Sequence, residues 1–284
     1  MKLNTETQQF NSQLDSSVNF MFDNIECRYV RRNEEKISVY LSSQTGCKQS
    51  CRFCFLTQTG QTNDIDITMD QYEQQIKTVF EYYKKQSKAK RVNFNLMARG
   101  EPFNNVILMK KFGLFHNICE DYVNENNLEY KINISTILPT STKIEYIEKI
   151  SAFTNTKIYY SLYSLNPEFR KKWMPKASDP YFALNVLSNI QKNTNKYYRC
   201  HWAYIKDQND SDKDTHILGK ILSESGKPNI NIVRYNPFSK EQGTESDWDE
   251  LSRNVWILKK QYGLSVKVIS RVGFDINASC GMFL

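Results

Sequence analysis

Residues 42–55, SSQTGCKQSCRFCF, decide how the rest of the chain is read. They hold Cys47, Cys51 and Cys54 in C-x3-C-x2-C spacing. Three thiolates that close together can cover one face of a metal centre, and as soft donors they favour iron–sulfur clusters or zinc over hard cations. A structural zinc takes four protein ligands. No fourth Cys or His lies nearby, since His116, His201 and His216 are all remote in sequence. Three ligands to a four-iron cluster leave one iron open, the logic that keeps an open position in a catalytic metal site. The bland alternatives are a zinc site with one ligand elsewhere, or a chance cluster of cysteines.

With Phe53 just before the third cysteine, the loop resembles the cluster loop of radical S-adenosylmethionine (SAM) enzymes. That resemblance implies a 4Fe-4S cluster whose open iron chelates the amino and carboxylate groups of SAM.

The chain has 284 residues, enough for one large domain or two modest ones, and 40% of them are hydrophobic, adequate for a core. No run of about 18 apolar residues occurs, so no membrane span is expected. The first residues, MKLNTETQQFNSQLDSS, lack the apolar segment of a signal peptide, so a cytoplasmic location is expected. Seven cysteines in such a setting suggest metal or catalytic thiols rather than a disulfide framework. The net charge of +7 permits a polyanionic partner without demanding one. Two basic runs stand out: Lys84, Lys85, Lys88, Lys90 and Arg91, then Arg170, Lys171, Lys172 and Lys176 around Trp173. Each reads as a solvated face. The second mixes cations with an aromatic ring and equally suits phosphate and base contacts.

Upstream of the loop, residues 1–20 are polar and read as a loose arm or a short helix. Residues 24–30 and 37–43 read as two strands joined by a polar turn, the second running straight into the cysteine loop. Downstream, Thr68 with Gln71 three residues on is a helix N-cap, and the helix runs to about Lys85. A regular alternation follows: strands at 92–97, 130–136, 157–163, 198–205, 229–235 and 264–270, with helices at 107–124, 141–153, 181–192, 212–224 and 245–262. Strand–helix units in series argue for a parallel sheet. Six units fall short of the eight of a closed barrel. The expected fold is therefore α/β, a partial (β/α)6 radical SAM barrel with an N-terminal β-hairpin extension. Its domains would be an arm at 1–23 and a core at 24–284. The core comprises the hairpin 24–43, the cluster loop 44–55, the barrel to 270 and a cysteine tail 271–284. In such barrels chemistry sits at the C-terminal ends of the strands.

Strand 92–97 runs into Ala98-Arg99-Gly100-Glu101-Pro102. Gly permits close backbone approach and a strand-end carboxylate can bind an ammonium group; the alternative is an ordinary Gly-Pro turn. The tripeptide resembles the GEP motif of radical SAM enzymes, which holds the SAM amino group. Several motifs together are similar to the RlmN/Cfr family of RNA-methylating enzymes. They are SSQTGC, GEP and Ile134-Ser135-Thr136, then Ser161-Leu162-Tyr163 with Asn166 and Arg170 where the family has SLHA and similar residues. Asn236-Pro237-Phe238 matches its WNPF-like element, and residues 275–281, DINASCG, match its DIDAACG. The resemblance spans roughly residues 24–284.

The resemblance implies roles. Cys47, Cys51 and Cys54 bind the cluster. Gly100, Glu101, Ser135, Ser161 and Asn236 contact SAM, and Tyr163 stands where the family has His. Cys280 is the methyl-accepting thiol. In the family one SAM methylates this cysteine, and a second yields a 5′-deoxyadenosyl radical that takes a hydrogen from the S-methyl. The methylene radical then adds to C2 or C8 of an adenine in rRNA or tRNA, giving a covalent protein–RNA adduct. The chemistry needs a reductant such as flavodoxin or ferredoxin. Adenine C2 is not nucleophilic, so a radical route is compatible with such a target. The alternative for Cys280 is a small buried hydrophobe. Two further readings compete: the same lineage acting on a nucleotide, peptide or metabolite, and an inactive SAM- or RNA-binding regulator.

Two departures from the family stand out. Tyr40 occupies the position, seven residues before Cys47, of a second family cysteine that resolves the adduct. If the hairpin turns symmetrically about Asn33 and Glu34, Cys27 lies directly across from Tyr40 and could supply that thiol; otherwise it is a strand cysteine. Family members also carry an N-terminal accessory domain, whereas about twenty residues precede the hairpin here. An accessory protein could replace it. Arg99, Arg170, Lys171, Lys172 and Trp173 are candidate substrate contacts. Tyr163, Trp173 and Tyr235 are candidate stacking surfaces for a base, and Cys119 and Cys200 read as core.

Overall fold

The computed structural model describes residues 6–284, so the first five residues of the expected arm lie outside the described residues. Among the described residues the strands are β1 (Gln8–Asn11), β2 (Val18–Phe22), β3 (Ile25–Asn33), β4 (Lys36–Leu41), β5 (Arg91–Leu96), β6 (Glu129–Thr136), β7 (Thr156–Ser161), β8 (Arg199–Trp202), β9 (Asn229–Val233) and β10 (Val266–Ile269). The α-helices are α1 (Phe55–Gln58), α2 (Met69–Tyr83), α3 (Val106–Lys110), α4 (Phe112–Glu125), α5 (Ile144–Ser151), α6 (Pro167–Trp173), α7 (Pro180–Thr194), α8 (Asp212–Glu224) and α9 (Trp248–Lys260). The chain divides into two compact units. One comprises Met1–Lys48, Gly60–Ser135 and Val272–Leu284; the other comprises Gln49–Thr59 and Thr136–Arg271.

In the first unit β1 to β4 form an antiparallel meander, and β4, β5 and β6 are parallel. The expected arm thus contains two strands. Polar composition hid them: β1 is a largely exposed edge strand, while Val18, Phe20 and Phe22 of β2 are buried. Strand alternation sorts the sheet into two kinds of row. An apolar row runs Phe20–Cys27–Leu41–Leu96–Ile134, beside a second of Tyr29–Val39–Phe94–Ile132. Helix α2 covers this face, with Phe80 stacked on Phe94 and Tyr82 edge-on to Phe20 and Tyr29. The opposite face carries a polar row, Asn19–Arg28–Tyr40–Asn95–Asn133.

These rows correct the expected hairpin register. Cys27 pairs with Leu41, and Tyr40 pairs with Arg28. Asn33 pairs with Lys36, so the turn falls at Glu34 and Glu35, one residue further on than expected, and the irregularity between Arg31 and Asn33 then leaves a net shift of one residue. A shift of one residue moves every side chain to the other face. Burying each large apolar side chain is worth about 1.5–3 kcal/mol, so the apolar rows, not the turn, set the register.

In the second unit β7 to β10 are parallel, linked by α7, α8 and α9. One face is apolar, with Ile158, Tyr160, Cys200, Trp202, Ile230 and Ile232 buried. The other carries Tyr159, Ser161, Arg199, His201 and Asn231.

Most helix starts follow side-chain caps. Thr68 and Gln71 form a reciprocal capping box on α2, Asp179 caps α7 and Ser211 caps α8. Three expectations are revised. The helix expected at 107–124 is two, α3 and α4, broken at Lys111. Helix α5 begins after Lys143 rather than at Ser141. Helix α9 begins at Trp248, which leaves Glu245 outside it as an ion-pair partner. Helix α6 was not expected. No helix among the described residues is long and apolar enough to cross a membrane.

Candidate active site

Strand β4 delivers the chain into the cysteine loop. In the first unit, Ser43 N–H donates to the Arg99 carbonyl at 2.8 Å and Cys47 N–H to the Gln61 carbonyl at 3.1 Å. A Cβ on Gly46 would come within 2.6 Å of the Gln61 and Asn63 carbonyl oxygens, so only Gly fits there. Lys48 pairs with Asp64. In the second unit, Cys51 is buried and Cys54 half-buried, and Cys54 N–H donates to the Cys51 carbonyl at 3.0 Å as α1 begins. Phe53 packs on Tyr163 with ring centroids 4.7 Å apart. Arg52 lies over the Trp173 ring, and its N–H donates to the Trp173 carbonyl at 2.9 Å. Among the described residues no three His, Cys, Asp or Glu side chains converge on a single ion. The case for a cluster rests on donor chemistry: the loop presents three sulfurs and no carboxylate.

At the end of β5, Gly100 has φ +90°, a conformation that favours glycine. A Cβ there would lie 2.7 Å from the Gln44 backbone nitrogen, so the cradle exists only because the residue is Gly. Glu101 is buried and caps a 3-10 turn, accepting from Phe103 N–H at 3.2 Å. Ser135 is the penultimate residue of β6 and half-buried. Small residues at close approach and a buried strand-end carboxylate fit a zwitterionic ligand.

In the second unit, Ser161 ends β7 and Tyr163 follows with φ +53°. That is a rare conformation for a bulky residue, of a kind that clusters at ligand sites. The Asn209 amide holds it by donating to the Tyr163 carbonyl at 2.7 Å. Asn236 lies past the end of β9, where its Oδ1 accepts from Arg271 Nε at 2.7 Å. Arg271 and Arg234 both pair with Glu245. Burial works against the Glu245 charge, yet the two guanidiniums hold its carboxyl below the usual carboxylate range. Arg271 and Glu245, which brace Asn236, were missed by motif reading.

Several expected substrate contacts are instead structural. Arg99 is 1% exposed and pairs with Glu26. Arg170 is buried and donates to the Leu162, Ser164 and Ser178 carbonyls. Trp173 stacks on Phe169, and with Tyr163 and Tyr235 it belongs to one apolar cluster around Cys51. None of the three aromatics is a rim surface; Lys171 and Lys172 remain exposed. Cys27 has no exposed surface and lies in the apolar row, not on the face of Tyr40, and burial with the neighbouring Glu26 pushes its thiol pKa up. Cys119 and Cys200 are buried as expected, while Cys280 is exposed. Glu26 and Arg28 were also missed. The signal was there: charges two residues apart lie on one face of an otherwise apolar strand, IECRYV.

A family model described as the radical SAM superfamily matches residues 41–215. The chain belongs to that superfamily, whose cofactors are a 4Fe-4S cluster and SAM. It is similar to a probable dual-specificity RNA methyltransferase RlmN of Clostridium botulinum (strain Alaska E43 / Type E3), with 26% identity over 96% of this chain and 76% of the relative. It is also similar to a dual-specificity RNA methyltransferase RlmN of Sulfurovum sp. (strain NBC37-1), with 28% identity over 88% of this chain and 67% of the relative. Among solved structures, a radical SAM methyltransferase from Sphaerobacter thermophilus matches with TM-score 0.80 and 19% identity, covering 98% of this chain and 80% of that one. The fold is therefore the α/β radical SAM fold. Streptococcus suis SuiB bound to S-adenosylmethionine matches less closely, with TM-score 0.57 and 16% identity over 85% of this chain and 48% of that one.

Proposed function

We propose that this radical SAM enzyme is a methyltransferase of the RlmN/Cfr type, which installs a carbon at C2 or C8 of an adenine in RNA with Cys280 as the carrier. The observation that carries the reading is the placement of Cys280. It is exposed near the end of a tail whose neighbours Ala278, Ser279 and Met282 are buried, while Cys27, Cys119 and Cys200 are buried. The names of the similar proteins support RNA as the substrate class.

Cys47, Cys51 and Cys54 would hold the cluster. Glu101 would receive the SAM amino group beside the Gly100 cradle. Ser135, Ser161 and Asn236 would hydrogen-bond its remaining polar groups, with Tyr163 packed nearby. Together the two bound groups supply a methyl donor and a carbon-centred radical, with the electron coming from a reductant such as flavodoxin or ferredoxin. Cys280 would give up its thiol proton as its sulfur accepts the methyl, and the S-methyl carbon would lose a hydrogen atom to the carbon-centred radical before bonding to the base. A base inside folded RNA must first be extruded from its stack. A cytoplasmic location accords with this reading.

One observation favours a second reading. Tyr40 lies in the polar row and Cys27 in the apolar row, so neither offers the thiol that resolves the adduct in the family. The same cofactors acting on a nucleotide, peptide or metabolite, by chemistry that forms no such adduct, would need none. The experiment is mass spectrometry of the Cys280 peptide after anaerobic cluster reconstitution and incubation with SAM. A methyl on Cys280 is expected. An unmodified Cys280 with 5′-deoxyadenosine still formed would overturn the carrier mechanism and leave the second reading.

A further inference from the structure

The tail that carries Cys280 is gripped at both ends. At its start, Gly273 N–H donates to Asp15 at 2.9 Å, and Asp275 accepts from Ser12 Oγ and Gln13 N–H, both at 2.7 Å. These partners belong to the loop between β1 and β2. At its end, the grip comes from two buried arginines that share one carboxylate. Arg28 Nη2 lies 2.6 Å from Glu26 Oε1, and Arg99 Nε lies 3.4 Å from Glu26 Oε2. All three side chains are at most 3% exposed.

Two guanidiniums and one side-chain carboxylate are buried together, so the remaining guanidinium donors need further acceptors. The tail supplies several of them. Arg28 Nη1 donates to the Ala278 carbonyl at 2.8 Å, and its Nη2 donates to the Met282 carbonyl at 2.7 Å. Arg99 Nη2 donates to a Leu284 main-chain oxygen at 2.8 Å, while its Nη1 donates to the Asn24 and Thr45 carbonyls, both at 2.9 Å. Arg28 also lies 5.0 Å from the centre of the Phe283 ring. Between these carbonyls the backbone makes a turn closed by Met282 N–H donating to the Ser279 carbonyl at 3.1 Å, with Gly281 at φ +77°. Cys280 and Gly281 are its two central residues, the type II arrangement that asks for Gly in the third position. Arg28 therefore holds the carbonyls on both sides of the cysteine, and only a planar guanidinium fork reaches both at once.

We infer that Arg28 and Arg99, with Glu26 as their shared counter-ion, are positioning residues that fix the Cys280 turn for methyl transfer. This rests on the carrier role of Cys280. It turns Arg99, a departure from the family pattern, from a substrate contact into a tail anchor.

The test compares wild type with Arg28→Lys, Arg99→Gln and Asp275→Ala. Arg28→Lys keeps the charge but loses the fork. Asp275→Ala loosens the tail from its exposed end without orphaning a buried charge, so it remains informative if the arginine variants fold poorly. Hydrogen exchange of residues 276–284 in the protein without cofactors should quicken at least tenfold in each variant. In reconstituted protein, Cys280 methylation should fall at least tenfold relative to 5′-deoxyadenosine formation. Unchanged tail exchange in all three variants, or methylation falling only in parallel with SAM cleavage, would overturn the positioning role. If wild-type Cys280 is never methylated, the carrier reading fails and the positioning role with it. The exchange data still report separately whether the arginines hold the turn.

Discussion

His201 shows how position within a sheet overrides residue type. It sits in the polar row of the second unit, where its Nε2 lies 3.2 Å from the Asn231 amide and its ring packs on Tyr159. Arg199 donates to the Asn231 Oδ1 at 3.1 Å and lies over the Tyr159 ring. Burial, and then the Arg199 charge, hold the His201 pKa down to about 3 from an ordinary 6.5. The folded chain thus keeps the ring neutral where the unfolded chain protonates it. Stability from this group is full above pH 6.5 and is lost as pH falls from 6.5 towards 3. Wild type should lose ~1 kcal/mol between pH 6.5 and 5.5 that a His201→Gln variant does not. Urea denaturation of both proteins at the two pH values reads the difference. Equal losses would mean that His201 is already charged or solvated when folded. A histidine in a strand beside arginine and asparagine invites a catalytic reading, and its burial supports a structural one.

At the scale of elements, α6 is the clearest case of structure hidden by composition. Its residues, PEFRKKW, read as a basic patch with an aromatic ring, and the flanking Asn166 and Pro167 read as a motif. In the structure Asn166 is its N-cap, accepting from Glu168 and Phe169 N–H at 2.8 and 3.3 Å, and Pro167 is its first residue. Asn166→Ala should cost about 1 kcal/mol, a shift of roughly 2–4 °C in thermal midpoint for a chain of this size. An unchanged midpoint would show that the cap adds nothing to α6. The strands from β3 onward were legible because period-2 apolar runs mark buried faces, and the α2 start was legible because Thr68 and Gln71 form a local box. The β3–β4 register was not, because the turn at Glu34–Glu35 and the irregularity between Arg31 and Asn33 are together selected by the apolar rows and leave no local mark. Cys47, Cys51 and Cys54 were legible as a trio because they are close in sequence. The pairing of Arg28 and Arg99 with Glu26 was not, because Arg99 is 73 positions from Glu26 and reads as surface until the sheet buries it.

For the whole molecule, burial changes what the net charge of +7 can mean. Arg28, Arg99 and Arg170 are spent on carbonyl oxygens and one carboxylate inside the fold, so they are not available to phosphates. Exposed cations include Lys84, Lys85, Lys88, Lys171, Lys172 and Lys176. If RNA is the substrate, these are the groups that release counterions on binding, and affinity must fall with salt. For a single-stranded segment, each neutralised phosphate contributes a slope of about −0.7 in log K against log salt. Four contacts would therefore weaken binding by about fifty-fold between 50 and 200 mM salt. Fluorescence anisotropy with a labelled RNA stem-loop carrying an unpaired adenine measures this directly. Changing Lys171 and Lys172 together to Gln should flatten the slope by about 1.4 while leaving stability unchanged, since neither side chain is buried. Weak binding that is indifferent to salt would remove RNA as the substrate and favour a small acceptor. A steep slope that ignores this pair would move the RNA-binding face elsewhere, with the 84–91 run the next surface to test.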